Sequence, residues 1–444
     1  VDEIKPGGIF LLNCVWRPDE LEKQLPAKVR RLLARNHIRF FTIDATKIAG
    51  ELGLGNRTNT VLQAAFFALT SIIPLDEALG CLKDAAKKTY FKKGQEIVDL
   101  NIAAIDAGAS GAVEIPVPEN WADAQDENTP QPKLIDAVKD ILIPITSQHG
   151  DDMPVSVFTK YADGHIDMGL TAYEKRGIAT AVPKWDAEKC IQCNRCSLVC
   201  PHAVIRPYLL SDEEVKNAPS GVTAVPAKGA KGLSYTILVS TLDCTGCGSC
   251  ADTCIAKDKA IEMVPAVFTP EQSTAWEYGL SLTDKGDVFD PYTVKGSQFR
   301  QPLVEFSGAC AGCGETPYAK LMTQLFGDRV YWANGTGCSQ AWGAPMPSIP
   351  YTVNKRGHGV AWTNSLFENN AELELGMFLS VRQQREAQRI KVQALMESGC
   401  SPALKAAAKE WLETYDDFAL SRQTSDALIS ALEAEMSSAA NEIL

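Results

Sequence analysis

Eight of the 14 cysteines stand in two short runs with the same spacing. One run extends from Cys190 to Cys200 and the other from Cys244 to Cys254, and each reads C-x2-C-x2-C-x3-C. The two-residue gaps let a single loop present three thiolates to a four-iron cluster, and the fourth cysteine of each run ligates the cluster of the other run. The sequence therefore predicts two [4Fe–4S] clusters and an electron-transfer role.

Each predicted cluster takes three ligands from one run and its fourth ligand from the other run. Small residues between the ligands, such as Gly246 and Gly248, let backbone N–H groups approach the sulfur atoms. A pair of zinc sites is the alternative interpretation, but four-cysteine zinc sites are usually built from separated C-x2-C pairs. The predicted ligands are Cys190, Cys193, Cys196 and Cys254 for one cluster, and Cys244, Cys247, Cys250 and Cys200 for the other.

A third set of cysteines lies further along the chain. Cys310 and Cys313 form a C-x2-C pair in a predicted strand-to-helix turn, and Cys338 lies in a second glycine-rich turn. These three thiols could ligate a third cluster or a zinc ion, and a plain turn or a redox pair is the alternative interpretation. No fourth ligand stands nearby in the sequence. Three cysteines remain: Cys400 is interpreted as an ordinary cysteine between helices, and Cys14 and Cys81 as core residues.

Composition excludes several other classes of protein. The chain has 444 residues, of which 45% are hydrophobic, and its net charge of -12 argues against a surface built to bind nucleic acid. A disulfide scaffold is excluded because such frameworks occur in small secreted domains. No apolar run reaches the length of a membrane-spanning helix, and the start lacks the features of a signal peptide. Cytoplasmic localisation is therefore expected, and a first residue other than Met suggests a piece of a longer polypeptide.

Alternating strand and helix patterns predict the elements that position these residues. Strands are expected at 9–15 and 38–43, with helices between and after them, and continuous apolar strands favour a parallel α/β layer. A proline- and acid-rich stretch at 123–132 marks its boundary. Beyond the cysteine runs the chain is expected to form strands at 303–306 and 330–333, helices at 134–142 and 318–326, and a mainly helical region from 365 onward.

Four stretches of the chain closely resemble the pyruvate:ferredoxin (flavodoxin) oxidoreductase family. They are GACAGCGETPYAKLMTQLFGDRVYWANGTGCSQAWGAPMPSIPY (308–351), KPGGIFLLNCVW (5–16), GLGNRTNTVLQAAFF (53–67) and KRGIATAVPKW (175–185). The resemblance implies a multidomain α/β protein that corresponds to the middle of a chain over twice as long. It implies a partial α/β domain of the transketolase C-terminal type at 1–125, a small α+β connector at 126–180, a two-[4Fe–4S] ferredoxin-like α+β domain at 181–270, and the first part of a thiamine-diphosphate-binding α/β domain at 271–444.

The activity implied by this resemblance is CoA-dependent oxidative decarboxylation of pyruvate to acetyl-CoA and CO2. Its cofactors would be thiamine diphosphate with Mg2+ and the [4Fe–4S] clusters, with coenzyme A as co-substrate. Its partners would be ferredoxin or flavodoxin, the remainder of the same polypeptide and a second copy in a homodimer, with neither nucleic acid nor a membrane. The main catalytic residues are expected outside this chain, which should be inactive on pyruvate by itself.

The resemblance also suggests roles for particular residues. Cys310, Cys313 and Cys338 match the ligands of a cluster close to thiamine, whose fourth cysteine would lie downstream. Gly314 and Glu315 match the thiamine site, although a carboxylate at a helix start also fits a simple cap. A second group of residues lies at a predicted helix N-terminus. Backbone N–H donors and an arginine there suit the diphosphate of coenzyme A or a substrate carboxylate. The alternative interpretation is that these residues only cap the helix. This group consists of Asn56, Arg57, Asn59 and Thr60.

Two other functions remain open from the sequence. A stand-alone iron–sulfur electron-transfer subunit would account for the cysteine runs but not for the two flanking α/β regions. A non-catalytic assembly subunit would hold zinc in place of the clusters.

Overall fold

The computed structural model describes residues 3–55, 57–126, 134–164, 166–365, 367–435 and 437–443. The chain divides into two compact units, Val1–Pro132 and Lys133–Leu444, which are considered separately. Among the described residues, no helix combines the length and the apolar character needed to span a membrane.

The first unit is built on a small sheet covered by helices. Strand β1 (Ile9–Asn13) runs parallel to β2 (Arg39–Ile43), with Ile9 beside Arg39, which confirms the predicted parallel pair. A third strand, β3 (Val113–Ile115), pairs antiparallel with β2 and was not expected from the sequence. The α-helices of this unit are Leu21–Gln24, Ala27–Arg35, Ala45–Glu51, Asn59–Thr70, Leu75–Tyr90 and Gln95–Ser110.

Two local features of the first unit have simple physical causes. The leucines from Leu21 to Leu33 have helical spacing, but Pro26 divides them between two helices because its ring lacks an N–H and suits a helix start. The helices Asn59–Thr70 and Gln95–Ser110 pack closely at Gly108, where an added Cβ would lie 2.2 Å from the carbonyl oxygen of Val61. Glycine is therefore required at this crossing.

The second unit begins with short helical turns and then forms the region of the cysteine runs. Helical turns occur at Val138–Leu142, Ile143–Thr146, Val155–Tyr161 and Leu170–Tyr173, of which the first two lie at and just beyond the predicted 134–142 helix. Strand β4 (Ala181–Trp185) then opens the cysteine region. It is followed by β5 (Ile205–Leu210), β6 (Val225–Pro226), β7 (Ser234–Val239) and β8 (Ile261–Pro265).

The strands of the cysteine region form two antiparallel sheets. β4 pairs with β8, so the first and last strands of the region lie side by side, and β5, β7 and β6 form the other sheet in that order. Buried cysteines of both runs share one core with Tyr235, Trp276 and Phe306. The thiols therefore lie inside the fold and not on a flexible loop.

The last part of the second unit is mainly helical, as predicted from residue 365 onward. Two parallel strands, β9 (Tyr331–Asn334) and β10 (Ala361–Asn364), lie among the helices, and β9 overlaps the predicted strand at 330–333. The helices are Pro270–Ser281, Val294–Ser297, Thr316–Phe326, Cys338–Gly343, Asn370–Ser398, Pro402–Glu413, Ser421–Glu435 and Ser438–Asn441.

The predicted strand at 303–306 is wrong. Only an isolated bridge between Val304 and Tyr351 forms there. The backbone of this segment bonds to several different elements: the N–H of Leu303 donates to the Thr323 hydroxyl (3.0 Å), and the N–H of Phe306 donates to the carbonyl oxygen of His202 (3.0 Å). Because these partners belong to separate elements, the segment is extended but does not belong to a ladder.

Candidate iron–sulfur centres

The two cysteine runs adopt the same backbone conformation. Each C-x2-C-x2-C loop turns through two left-handed residues, Gln192 and Asn194 in the first run and Gly246 and Gly248 in the second. Left-handed backbone favours glycine, so the first run carries strain that the second avoids. Both loops then enter a single helical turn, Arg195–Leu198 and Ser249–Asp252.

Side-chain hydrogen bonds hold the first loop in this conformation. The Gln192 amide donates to the carbonyl oxygen of Pro226 (2.9 Å), and the Asn194 amide donates to that of Lys295 (2.8 Å). The Tyr235 hydroxyl donates to the Asn194 side-chain oxygen (2.8 Å). Gln192 and Asn194 are both buried, and these bonds stabilise a loop shape that glycine would otherwise be needed to form.

Backbone N–H groups point at several of the sulfur atoms. The N–H of Gln192 lies 3.3 Å from Cys190 Sγ, that of Gly246 lies 3.4 Å from Cys244 Sγ, and that of Ala260 lies 3.2 Å from Cys254 Sγ. All 14 cysteines are free of disulfides. Preplaced donors of this kind stabilise thiolates and tune the metal that the thiolates bind.

Charge interactions show which thiols lie close together. Burial is the main cause that raises the pKa of Cys250 to about 12, and the neighbouring thiolates of Cys200, Cys244 and Cys247 add to this effect. Burial is also the main cause that raises the pKa of Cys244 to about 11, with Cys200 and Cys247 adding to it. The structure therefore brings Cys200 of the first run beside the first three cysteines of the second run.

The remaining cysteines of the runs differ in their surroundings. Burial raises the pKa of Cys196, and the nearby Cys250, Cys190 and Cys193 thiolates raise it further. Burial alone would raise the pKa of Cys254, but several backbone N–H groups and Lys259 outweigh it, so this pKa is lowered. Within the described part of the chain, no three His, Cys, Asp or Glu side chains are placed to share a single metal ion.

The third cysteine set lies against the second run. Gly312, between Cys310 and Cys313, has φ +74°, and a Cβ placed on it would lie 3.7 Å from the Cβ of Cys247. The N–H of Glu315 lies 3.4 Å from Cys313 Sγ. Cys310 and Cys338 are exposed, whereas Cys313 is half-buried. The turn that carries the third set is therefore in contact with the loop of the second.

One hydrogen bond joins the two turns of the third set. Glu315 stands at the N-cap of helix Thr316–Phe326 but makes no side-chain cap bond. Its carboxylate instead accepts a hydrogen bond from Trp342 Nε1 (3.0 Å), and Trp342 belongs to the helix that begins at Cys338. Gly314 beside it faces open space. The carboxylate thus holds the Cys310–Cys313 turn against the Cys338 helix.

Several buried polar residues around the cysteines were not identified from the sequence. His202 Nδ1 lies 3.0 Å from the carbonyl oxygen of Ser307, and burial lowers the pKa of this histidine, so the ring is neutral at pH 7. Arg206 forms a buried ion pair with Glu305. Lys320 is almost fully buried beside the first run. Each contact joins residues about 100 or more positions apart, which local spacing does not reveal.

The residues proposed for coenzyme A or substrate lie in the first unit. Asn56 lies outside the described residues, while Arg57 and Asn59 are exposed at the start of helix Asn59–Thr70. Thr60 is buried, and its hydroxyl donates to the Asn101 side-chain oxygen (3.1 Å) of the neighbouring helix. Its hydroxyl therefore contributes to helix packing.

The burial of the three cysteines outside these sets agrees only in part with the prediction. Cys14 is half-buried beside the core that lies around β1 and β2, and Cys400 is half-buried between two helices. Cys81 is exposed, so its prediction as a core residue is wrong. Helix Leu75–Tyr90 buries Ala78 and Ala86 instead and turns Cys81 towards solvent.

Comparison with known protein families first identifies the class of protein that parts of this chain resemble. Residues 1–111 match the family described as pyruvate ferredoxin/flavodoxin oxidoreductase, and residues 182–205 match a 4Fe-4S binding domain. Residues 124–179 match a domain of unknown function. An oxidoreductase region and an iron–sulfur region are therefore recognised in the same chain.

Individual relatives are similar over nearly the whole chain. Pyruvate:ferredoxin oxidoreductase of Moorella thermoacetica is 49% identical over 100% of this chain and 38% of the relative. Pyruvate-flavodoxin oxidoreductase of Enterobacter agglomerans is 50% identical over 93% of this chain and 36% of the relative. Pyruvate dehydrogenase [NADP(+)] of Euglena gracilis is 43% identical over 97% of this chain and 24% of the relative. These matches confirm the resemblance to pyruvate:ferredoxin (flavodoxin) oxidoreductases, and the chain spans less than two fifths of the relatives' length.

Proposed function

We propose that this chain is the electron-transferring middle part of a CoA-dependent pyruvate:ferredoxin or pyruvate:flavodoxin oxidoreductase. The observation that carries the proposal is the contact between the Gly312 turn and Cys247, which sets the third cysteine set beside the second within one folded unit. A stand-alone electron carrier would need only the two runs. This chain also has the turn that carries Cys310 and Cys313, and it is similar to pyruvate oxidoreductases over nearly its whole length. Both observations favour part of an enzyme over a stand-alone electron carrier.

The donor set fits two [4Fe–4S] clusters in its chemistry. Buried thiols raise one another's pKa when no cation is near, and a cluster would supply the positive charge that lets them ionise together. We propose Cys190, Cys193, Cys196 and Cys254 as ligands of one cluster, and Cys244, Cys247, Cys250 and Cys200 as ligands of the other. Cys310, Cys313 and Cys338 would supply three ligands of a third cluster, whose fourth ligand would lie downstream, as in the family that the chain resembles.

When bound, the clusters would supply one-electron chemistry and thiamine diphosphate with Mg2+ the chemistry of decarboxylation. The chain's own residues prepare these sites. The N–H groups of Gln192, Gly246 and Ala260 would hold thiolates in place, and the shared core buries five of the eight cysteines of the two runs. Glu315, held by Trp342, and Gly314 would face the thiamine cofactor, while Arg57 and Asn59 would face coenzyme A or pyruvate.

The partners follow from the same proposal. Ferredoxin or flavodoxin would take the electrons, and the remainder of the polypeptide would supply the main catalytic residues. A homodimer is proposed as the assembled form. The domain boundaries proposed from the sequence, at 125, 180 and 270, stay part of this proposal.

Iron and acid-labile sulfide analysis of the anaerobically prepared chain tests the proposal. About eight iron atoms per chain are expected, and about twelve if the third set also assembles a cluster, because each cluster holds four irons. The chain alone should not reduce an acceptor with pyruvate and coenzyme A, whereas the full-length polypeptide should. Stoichiometric zinc without iron, or CoA-dependent pyruvate oxidation by the 444-residue chain alone, would contradict the proposal.

A further inference from the structure

Lys320 is a lysine buried beside the first cysteine run. It is 2% exposed, in helix Thr316–Phe326, which directly follows the Cys310–Cys313 turn. Its ammonium donates hydrogen bonds to three backbone carbonyl oxygens at the end of the first run, those of Ser197, Leu198 (3.1 Å) and Cys200 (3.2 Å). The contact crosses from the helix of the third cysteine set to the run that carries Cys196 and Cys200.

No carboxylate balances this buried charge among the described ion pairs, although Arg206 nearby is paired with Glu305. An unpaired ammonium is costly to bury, and the three carbonyl oxygens offset only part of that cost. The three carbonyl oxygens match the three N–H donors of a protonated ammonium, whereas a neutral amine has only two. The geometry therefore fits a cation at this buried position.

A metal cluster ligated by thiolates explains why a cation is kept there. Four thiolates leave a [4Fe–4S] cluster with a net negative charge in both redox states, and the charge is larger after reduction. A nearby positive charge stabilises the reduced state more, because Coulomb energy scales with the product of the charges. Charge and hydrogen bonding around the ligands are established determinants of cluster potential.

We propose that Lys320 is a positioning residue whose charge raises the reduction potential of the cluster ligated by Cys200 and, to a smaller extent, of the cluster ligated by Cys196. The larger effect is assigned to Cys200 because the ammonium bonds to the carbonyl oxygen of that ligand itself. The cluster ligated by Cys196 is contacted less directly, because the ammonium bonds to the carbonyl oxygen of Ser197, the residue after that ligand. This inference rests on the proposed function, since it requires the clusters.

Redox titration of the holoenzyme, followed by EPR spectroscopy, tests the inference. Lys320→Met removes the charge and the donor, whereas Lys320→Gln removes the charge and keeps a donor. Both should shift the potential of the Cys200 cluster to more negative values, with a smaller shift of the other cluster, and Lys320→Arg should restore potentials close to those of the unaltered enzyme.

Gln324→Met is the matched control. Gln324 lies one turn further along the same helix, is buried, and donates to the carbonyl oxygen of Arg300 (2.9 Å), so its loss disturbs packing without removing a charge. It should leave both potentials unchanged. Full iron content with unmoved potentials in Lys320→Gln, or an equal shift in Gln324→Met, would overturn the inference while leaving the proposed function intact.

The remaining outcomes are also decisive. Loss of iron in both neutral variants, with full iron in Lys320→Arg, supports a requirement for the charge. Loss of iron in all three variants assigns Lys320 a purely structural role and overturns the inference. If the unaltered enzyme holds zinc instead of iron, the proposed function itself fails.

Discussion

Removing the carboxylate of Glu305 should destabilise the second unit strongly. The side chains of Arg206 and Glu305 are 7% and 10% exposed, and their ion pair ties β5 to the segment just before the third cysteine set. Breaking a buried pair from one side costs about 3–5 kcal/mol because the other charge is left buried. Arg206 keeps its bond to the carbonyl oxygen of Ala203 (2.8 Å) and its position over the Trp276 ring. We therefore expect Glu305→Gln to cost about 3 kcal/mol, at the lower end of that range.

Urea unfolding under anaerobic conditions, followed by tryptophan fluorescence, measures this change. The midpoint should fall at an unchanged m-value. Glu386→Gln is the control, because it breaks the exposed pair between Glu386 and Arg389 and should lower the midpoint far less than Glu305→Gln does. The double variant Arg206→Met/Glu305→Leu removes both charges and should recover most of the lost stability. A Glu305→Gln cost no larger than that of Glu386→Gln would refute the reasoning.

Three further predictions concern packing and pH. Gly108→Ala places a methyl group 2.2 Å from the facing backbone, so it should lower the melting temperature and cost at least about 1–3 kcal/mol of folding stability. The control Gly80→Ala adds a methyl group in open space on a helix and should stabilise the fold slightly. Equal effects of the two substitutions would contradict this prediction. Leu404→Ala empties a fully buried site in the C-terminal helices and should cost about 2–5 kcal/mol by urea unfolding, and a cost below about 1 kcal/mol would show that the site is not packed. Burial of Glu214 disfavours its ionised form, but hydrogen bonds to the carboxylate outweigh this effect, and the bond from Lys285 is the largest of them. Together they lower the pKa of Glu214 in the folded state from 4.5 to about 2. The stability it contributes is therefore present above about pH 4.5 and lost as the pH falls towards 2. Glu214→Gln should flatten the dependence of the urea midpoint on pH in that window, and an unchanged slope would exclude the residue as its cause.

The parts of the fold that depend on local sequence could be predicted from it. The helices at Asn59–Thr70, Leu75–Tyr90 and Gln95–Ser110 follow from helical spacing of apolar residues, and the parallel pair β1–β2 follows from apolar strands around helices. The repeated cysteine spacing predicted two similar loops, and both runs do turn through left-handed residues at equivalent positions. The spacing alone therefore predicted the similarity of the two loops, but it did not reveal the distant partners Pro226, Tyr235 and Lys295 that hold the first one.

The remaining features depend on contacts between distant residues. The segment 303–306 has the composition of a strand, but its N–H groups bond to Thr323 and His202, which lie in other elements. Lys320 occurs in a helix whose sequence does not show that this face is buried, and its partners precede it by about 120 residues. The contact of Gly312 with Cys247 likewise depends on how two turns dock. Hydrophobic periodicity describes one element at a time, so it does not report such docking.

The pairing of β4 with β8 has a consequence for how the protein is made. The strand that completes this sheet, Ile261–Pro265, leaves the ribosome only after every cysteine of both runs. Long-range pairing of this kind closes slowly, because the intervening chain must be brought together first. During synthesis, eight thiols are therefore displayed on a nascent chain whose sheet cannot yet close. Delivery of iron and protection of the thiols from oxidants would matter most in that interval, before the finished fold buries five of the eight.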